Sequence, residues 1–210
     1  MKKYTHTFII LHGFSMNRKD MLYYKNKFNE YLPDKYHIKY VIPNADKKKI
    51  TIYRNKKYNS WYDYLTGYCE KEPLININQL LESRIEIHKI IENSVKYHNN
   101  DYSKIYLSGM SQGCCMALDA GLTFNKKIGG IIGFKGHVIH KTIDDFKTKQ
   151  NVWVCHGKKD KTIYYDFSKK SYEKLKKLDV NVKLLTQNTN HGVKTGIHEQ
   201  MSDIVKWIEK

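Results

Sequence analysis

The chain alternates short apolar runs with longer amphipathic segments, and this alternation predicts strands and helices in turn. Runs rich in Val, Ile, Leu and aromatic residues predict buried strands at residues 5–11, 36–42, 104–107, 128–134, 151–155 and 181–185. Apolar positions at helical spacing predict helices at residues 20–31, 78–97, 112–122, 167–178 and 198–208. The stretch 44–77 is rich in Lys, Asn and Tyr, and it is predicted to be mostly loop.

Strands that alternate with helices favour parallel pairing, because each helix carries the chain back to the start of the next strand. We therefore expect an α/β fold: a doubly wound, mostly parallel sheet with helices on both faces. The 210 residues contain three prolines, and no repeat, linker or Ser/Pro-rich tract divides them. A single domain over residues 1–210 is expected.

One turn in this pattern has the sequence of a nucleophile elbow. The predicted strand 104–107 leads into Gly109-Met110-Ser111-Gln112-Gly113, and a helix rich in small residues follows. Such a turn needs glycines beside the nucleophile, and it places the serine at a helix N-terminus, where free N–H groups face developing negative charge. The alternative is an ordinary strand-to-helix turn with a solvated serine.

A serine nucleophile needs a base, and the base needs an orienting carboxylate, in the chain order Ser, Asp or Glu, His. His191 lies in Asn190-His191-Gly192, between the last predicted strand and the last helix, and is the predicted base. We interpret His156, at the end of a strand, as structural and His198 as a surface residue. Asp160 follows the strand 151–155 and is the predicted carboxylate. Its rivals are predicted to cap helices or face solvent: Asp144, Asp145 and Asp166.

The negative charge of a tetrahedral intermediate requires two N–H donors. We expect one from Gln112, directly after the nucleophile, and the other from Phe14, in the loop that follows the first strand. Gly13 lets this loop approach the substrate closely. His12 precedes the nucleophile and is interpreted as a packed structural histidine.

Together these segments resemble the phospholipase/carboxylesterase family of α/β-hydrolases, which includes acyl-protein thioesterases. The matching segments occur in family order: Leu11-His12-Gly13, Ile42-Pro43-Asn44-Ala45, Ser60-Trp61-Tyr62-Asp63, Gly109-Met110-Ser111-Gln112-Gly113, His156-Gly157-x-x-Asp160 and Asn190-His191-Gly192. The resemblance implies an α/β-hydrolase fold and a serine hydrolase of carboxylic esters or thioesters. It also implies a Ser-His-Asp triad, an acyl-enzyme, and no metal or other cofactor.

Four segments depart from the family pattern near the expected acyl pocket. They are Ser15-Met16-Asn17, the basic insertion Lys47–Lys57, Cys114-Cys115-Met116 and Phe134-Lys135-Gly136-His137. Trp61 and Met110 are candidates to contact the substrate. The alternative places Trp61 in the core and Tyr64 at the surface.

The charge adds a possible partner to this picture. Lys and Arg number 37 against 21 Asp and Glu, a net charge of +16, but only three of the basic residues are Arg. Because nucleic-acid readers rely on the planar fork of Arg, we do not expect nucleic-acid binding. Residues 1–60 carry 14 basic and 4 acidic residues. The insertion Lys47–Lys57, expected on a surface loop, could attract an anionic membrane or an acidic substrate. An A/T-rich genome is the alternative source of the lysines.

The cysteines and the hydropathy pattern favour a cytoplasmic protein. Cys69, Cys114, Cys115 and Cys155 contain no CxxC spacing, so neither a disulfide framework nor a zinc site is expected. The expected substrate is an acyl ester or thioester, belonging to a lipid or an acylated protein. Two alternatives stay open: a small soluble ester or lysophospholipid as substrate, and a catalytically silent fold that serves as a basic binding module.

Overall fold

The computed structural model describes residues 4–68, 72–141, 146 and 148–210. In chain order the strands are β1 His6–Leu11, β2 Ile38–Val41, β3 Lys47–Ile50, β4 Lys56–Asn59, β5 Ile105–Met110, β6 Gly130–Phe134, β7 Asn151–Gly157 and β8 Asn181–Gln187. The helices are α1 Leu22–Tyr31, α2 Ile77–Val95, α3 Gln112–Thr123, α4 Tyr165–Lys177 and α5 Ile197–Ile208. Cys69, Asp144 and Asp145, which the sequence analysis considered, lie outside the described residues.

Six strands form a parallel sheet in the order β2-β1-β5-β6-β7-β8. From β1 the chain moves outward to β2, and from β5 it moves in the opposite direction through β6, β7 and β8. The strand order therefore reverses between β1 and β5. A sheet of this kind opens a crevice outside the carboxyl ends of the two strands at such a switch point.

Alternate residues of the strands enter two hydrophobic cores, one on each face of the sheet. Ile9 and Leu11 pack on the face covered by α2, α3 and α4, whereas Phe8 and Ile10 pack on the face covered by α1 and α5. This period of two is what a strand buried on both sides requires. The α/β-hydrolase fold expected from the sequence is confirmed, with a doubly wound sheet between two layers of helices.

The region 44–77 departs from the sequence-based expectation of a loop. Strands β3 and β4 form an antiparallel hairpin within the basic insertion Lys47–Lys57, and a 3₁₀ turn at Thr51–Tyr53 forms its tip. The run Lys47-Lys48-Lys49 shows no alternation of apolar and polar residues, so the sequence does not indicate a strand here. Contacts from elsewhere in the chain hold the hairpin. Tyr53 stacks on Phe14, with ring centroids 5.4 Å apart, and Tyr58 lies against the same ring.

No helix within the described part of the chain is long and apolar enough to cross a membrane.

Candidate active site

Ser111 lies at the turn between β5 and α3, with a backbone conformation of φ 55° and ψ −120°. A positive φ is uncommon for serine and is held here by tight packing of the turn. A Cβ on Gly109 would come within 2.1 Å of the Gly113 carbonyl oxygen, and one on Gly113 within 2.4 Å of the Leu11 carbonyl oxygen. Both glycines of the Gly-x-Ser-x-Gly sequence are therefore required by the close approach of strand and helix.

His191 connects Ser111 to Asp160. Its Nε2 lies 2.9 Å from the Ser111 Oγ, and its Nδ1 lies 2.6 Å from an oxygen of Asp160. An ionised carboxylate can only accept, so Nδ1 carries the proton and Nε2 is free to accept the hydroxyl proton of Ser111. The structure thus brings the three side chains together in the geometry of a nucleophile, a base and an orienting acid.

The Asp160 carboxylate is fully buried and accepts hydrogen bonds on both oxygens. The backbone N–H groups of Thr162 and Ile163 donate to Oδ1 at 2.9 Å each. His191 donates to Oδ2 at 2.6 Å, and the Nε2–H of His156 is shared between the same oxygen, at 3.2 Å, and the Ile163 carbonyl oxygen, at 2.8 Å. Burial alone would raise the pKa of Asp160, but the hydrogen bonds from His156, His191 and Ile163 hold it well below its usual value. Asp160 is therefore ionised at neutral pH and able to stabilise an imidazolium.

Two backbone N–H groups beside Ser111 have no hydrogen-bond acceptor within the described part of the chain, those of Phe14 and Gln112. They meet at the switch point, because Phe14 follows β1 and Gln112 follows β5. A Cβ on Gly13 would lie 3.4 Å from the Ser111 Cβ, so the two turns touch. This arrangement suits an anionic oxygen near Ser111. The role of Phe14 and Gln112 as oxyanion donors stays a prediction.

The side chain of Gln112 fixes the position of the Ser60-Trp61-Tyr62 segment. Its Nε2 donates to the Ser60 hydroxyl at 2.9 Å and to the Tyr62 carbonyl oxygen at 3.0 Å, and its Oε1 accepts from the Trp61 N–H at 3.1 Å. The sequence predicts only a backbone role for Gln112. Its side chain is an additional link between the nucleophile turn and a family-specific segment.

His12 is buried and acts as a structural link, as the sequence analysis expected. Its Nδ1 donates to the Gly13 carbonyl oxygen at 2.8 Å, and its Nε2 accepts from the Ala45 N–H at 2.9 Å. Burial lowers the pKa of His12, so the ring is neutral. With both ring nitrogens occupied, His12 is not available as a base.

Trp61 and Met110, the candidates for substrate contact, are both buried, with exposed fractions of 4% and 2%. The Trp61 Nε1 donates to the His12 carbonyl oxygen, and the Met110 sulfur lies 3.5 Å from the Tyr24 hydroxyl. Their part in substrate binding stays a prediction. The alternative placement of Tyr64 at the surface is wrong, since Tyr64 is buried with its ring edge against Phe14.

Sequence reasoning did not find two further residues of the site. His156, interpreted from the sequence as structural, also lies 3.2 Å from the carboxylate of Asp160, the predicted orienting acid. A histidine four residues before the acid was the available signal. Lys135 reaches the loop that carries His191, and only its departure from the family pattern marked it. Among the described residues, no group of three or more His, Cys, Asp or Glu side chains could hold a metal ion.

The fold and the arrangement of Ser111, His191 and Asp160 define an α/β-hydrolase. A family model described as Phospholipase/Carboxylesterase matches residues 1–210. The chain belongs to this family, and it is a hydrolase of carboxylic esters or thioesters.

Named relatives agree with this assignment. Acyl-protein thioesterase 1 of Schizosaccharomyces pombe is 31% identical over 134 residues, which are 63% of this chain and 56% of that protein. Acyl-protein thioesterase 1 of Candida albicans is 30% identical over 183 residues, 82% of this chain and 77% of that protein. The crystal structure of Arabidopsis thaliana SOBER1 has a TM-score of 0.85 at 19% identity and covers 97% of each chain, which supports the fold.

Proposed function

We propose that this protein hydrolyses acyl esters or thioesters of lipids or acylated proteins through an acyl-enzyme on Ser111. The single observation that carries the proposal is the position of His191, whose two ring nitrogens are within hydrogen-bond distance of Ser111 and of Asp160. The relatives named acyl-protein thioesterase support the choice of substrate class.

The proposed reaction has two halves that use the same residues. The Ser111 Oγ attacks the acyl carbon while His191 Nε2 takes the hydroxyl proton, and the N–H groups of Phe14 and Gln112 hold the oxyanion. When the intermediate collapses, His191 gives this proton to the leaving alcohol or thiol. Water then attacks the acyl-enzyme, with His191 again as base, which releases the carboxylic acid and restores Ser111. Asp160 orients the imidazole and stabilises its charged form throughout.

A fluorophosphonate probe tests the mechanism, because it reacts with an activated serine. We expect it to label the protein with one probe per chain, and we expect Ser111→Ala to abolish both the labelling and hydrolysis of a p-nitrophenyl ester, by about 10⁴-fold or more. Equal labelling of Ser111→Ala, or no labelling of the parent protein, would overturn the mechanism. The second result would instead favour a catalytically silent fold that acts as a basic binding module.

A series of acyl chain lengths tests the substrate class. We would measure kcat/KM, which reports discrimination between substrates, for p-nitrophenyl esters and for matched acyl-thioesters. The acyl chains would range from about two to about sixteen carbons. We expect the highest value with long acyl chains. An optimum at about two to four carbons would contradict a lipid or acylated-protein substrate and favour a small soluble ester.

We further propose that the basic hairpin Lys47–Lys57 brings the enzyme to an anionic membrane surface. Nearly all of its side chains are exposed, and Lys49 lies directly opposite Lys57 without an acidic residue between them in the pairing. Cationic groups near an anionic leaflet gain binding energy. We also propose a cytoplasmic location, where a reducing environment suits the thiols of Cys114, Cys115 and Cys155, which are buried and free.

A further inference from the structure

Lys135 follows β6 and is buried, with an exposed fraction of 1%. Lysine is almost never fully buried unless its charge is paired. Its backbone also has a positive φ of 54°, which is uncommon for a residue with a side chain. Two unfavourable features therefore coincide at one position beside the candidate active site.

The ammonium group of Lys135 holds the loop that carries His191. Its Nζ donates to the carbonyl oxygen of Gly192 and, at 2.6 Å, to the hydroxyl of Thr195. The Thr195 hydroxyl in turn donates to the same Gly192 oxygen at 2.8 Å. Gly192 is the residue after His191, so the ammonium fixes the backbone next to the base.

All acceptors that Lys135 finds among the described residues are neutral oxygens of this loop. An ammonium held by neutral acceptors does not recover its full cost of desolvation. Accordingly, burial lowers the pKa of Lys135, while the negative charge of Asp160 opposes the change. A costly arrangement of this kind is typical of a functional position rather than of a stabilising one.

The residue before Lys135 contacts the nucleophile. The Phe134 carbonyl oxygen accepts the backbone N–H of Ser111 at 2.8 Å. Phe134 and Lys135 therefore contact the two segments that the hydrogen bond between His191 and Ser111 joins. The backbone of Phe134 holds the Ser111 turn, and the side chain of Lys135 holds the His191 loop.

We propose that Lys135 is a positioning residue, which sets the distance between His191 and Ser111 by tethering Gly192 and Thr195 to the end of β6. The inference rests on the proposed triad. It concerns a residue that never touches the substrate, and its effect is on how often His191 occupies the reactive position. The departure Phe134-Lys135-Gly136-His137 in the sequence thereby has a physical role.

Lys135→Met tests the tether, since methionine keeps much of the length but has no donor. We expect kcat for a p-nitrophenyl ester to fall by about 10- to 100-fold, with KM within about twofold of the parent value, because the loss is in positioning and not in binding. The rate of fluorophosphonate labelling of Ser111 should fall by the same factor. The matched control is Lys183→Met, which removes an ion pair to Asp203 on α5, the helix after the loop. It should lower Tm and leave kcat unchanged.

A second pair of variants keeps the test decisive if Lys135→Met does not fold. Thr195→Val removes one acceptor of the tether and should lower kcat. Thr195→Ser keeps the hydroxyl, so its kcat should equal that of the parent. Where Lys135→Met does fold, the losses of kcat in the double variant Lys135→Met/Thr195→Val should be less than additive, because both changes break the same link. A kcat within about twofold of the parent in Lys135→Met or Thr195→Val, or an equal loss in Lys183→Met, would overturn the inference.

The two proposals fail separately. If Ser111→Ala keeps activity, the triad is wrong and the tether loses its purpose. If Ser111→Ala is inactive while Lys135→Met keeps the parent kcat, the triad stands and only the role of Lys135 is wrong.

Discussion

Asp160 accepts from two histidines on one oxygen, and the two contacts differ enough to predict different roles. The contact from His191 is 2.6 Å long, whereas the contact from His156 is 3.2 Å and is shared with the Ile163 carbonyl oxygen. In Asp160→Asn the amide oxygen is drawn towards the N–H groups of Thr162 and Ile163, which turns the NH₂ group towards His191. This favours the wrong tautomer, and we expect kcat to fall by about 10³- to 10⁴-fold.

His156→Phe provides the comparison at the same carboxylate. It removes the weaker contact, which is long and shared with the Ile163 carbonyl oxygen, and leaves the bond to His191. We therefore expect a loss in kcat of only about threefold to tenfold, which corresponds to about 1 kcal/mol. Steady-state kinetics on a p-nitrophenyl ester, with circular dichroism as a check of folding, would measure both variants. If the two substitutions cost the same, the ranking of the two histidines is wrong.

At the scale of the elements, the sequence predicts what local chemistry alone determines. The strand before Ser111, the glycines around it and the helix after it form one continuous segment, so the nucleophile turn is readable from sequence. The β3–β4 hairpin is not, because Lys47-Lys48-Lys49 shows no alternation of apolar and polar residues, and distant Phe14 supplies the contacts that hold it. The tether from Lys135 to Gly192 is missed for the same reason: the two residues are 57 positions apart.

The hairpin makes a prediction of its own. Like charges directly opposite on paired strands are destabilising, and Lys49 faces Lys57. The double variant Lys49→Gln/Lys57→Gln should therefore keep or raise Tm while it weakens binding to vesicles that contain phosphatidylserine. At about 1 kcal/mol for each charge near the surface, the partition coefficient should fall by about tenfold or more.

Vesicle sedimentation at several fractions of phosphatidylserine would measure this binding. Lys170→Gln/Lys177→Gln is the matched control, since it removes the same charge from exposed positions of α4. Binding that does not depend on the anionic lipid, or an equal loss of binding in the control, would contradict the membrane role of the hairpin. An A/T-rich genome would then explain the lysines. Activity on a soluble ester should be the same in all these variants.

At the scale of the whole molecule, the order of the strands places the chemistry. The reversal between β1 and β5 brings the loop of Phe14 beside the turn of Ser111, and β7 and β8 deliver Asp160 and His191 to the same edge. Since every strand of the six-stranded sheet is parallel, all these segments leave at the carboxyl edge. The sequence predicts this edge once the fold class is assigned, but the distances between side chains come from packing that no local pattern encodes.

Buried histidines make the free energy of unfolding depend on pH. Burial lowers the pKa of His137 to about 4, and burial together with Lys104 and His98 lowers the pKa of His6 to about 4. In the unfolded chain a histidine takes up its proton near pH 6.5. Between about pH 6.5 and pH 4 the unfolded state therefore binds more protons than the folded state, and the free energy of unfolding decreases as pH falls through this window.

His137→Asn tests this linkage, because it removes the fully buried ring that accepts the Tyr68 hydroxyl at 2.9 Å. At about 1.4 kcal/mol for each pKa unit, His137 alone contributes a decrease of about 3 kcal/mol across the window. Asp160 acts in a lower range: its depressed pKa favours folding above about pH 4, and this contribution is lost only below that pH. Urea unfolding, measured from pH 7 to pH 4 in steps of about half a pH unit, gives the free energy of unfolding as a function of pH. This free energy should decrease less steeply with falling pH in the variant than in the parent, whatever the stability of the variant at neutral pH. Parallel curves for the variant and the parent would mean that His137 takes up its proton equally in both states, contrary to its burial.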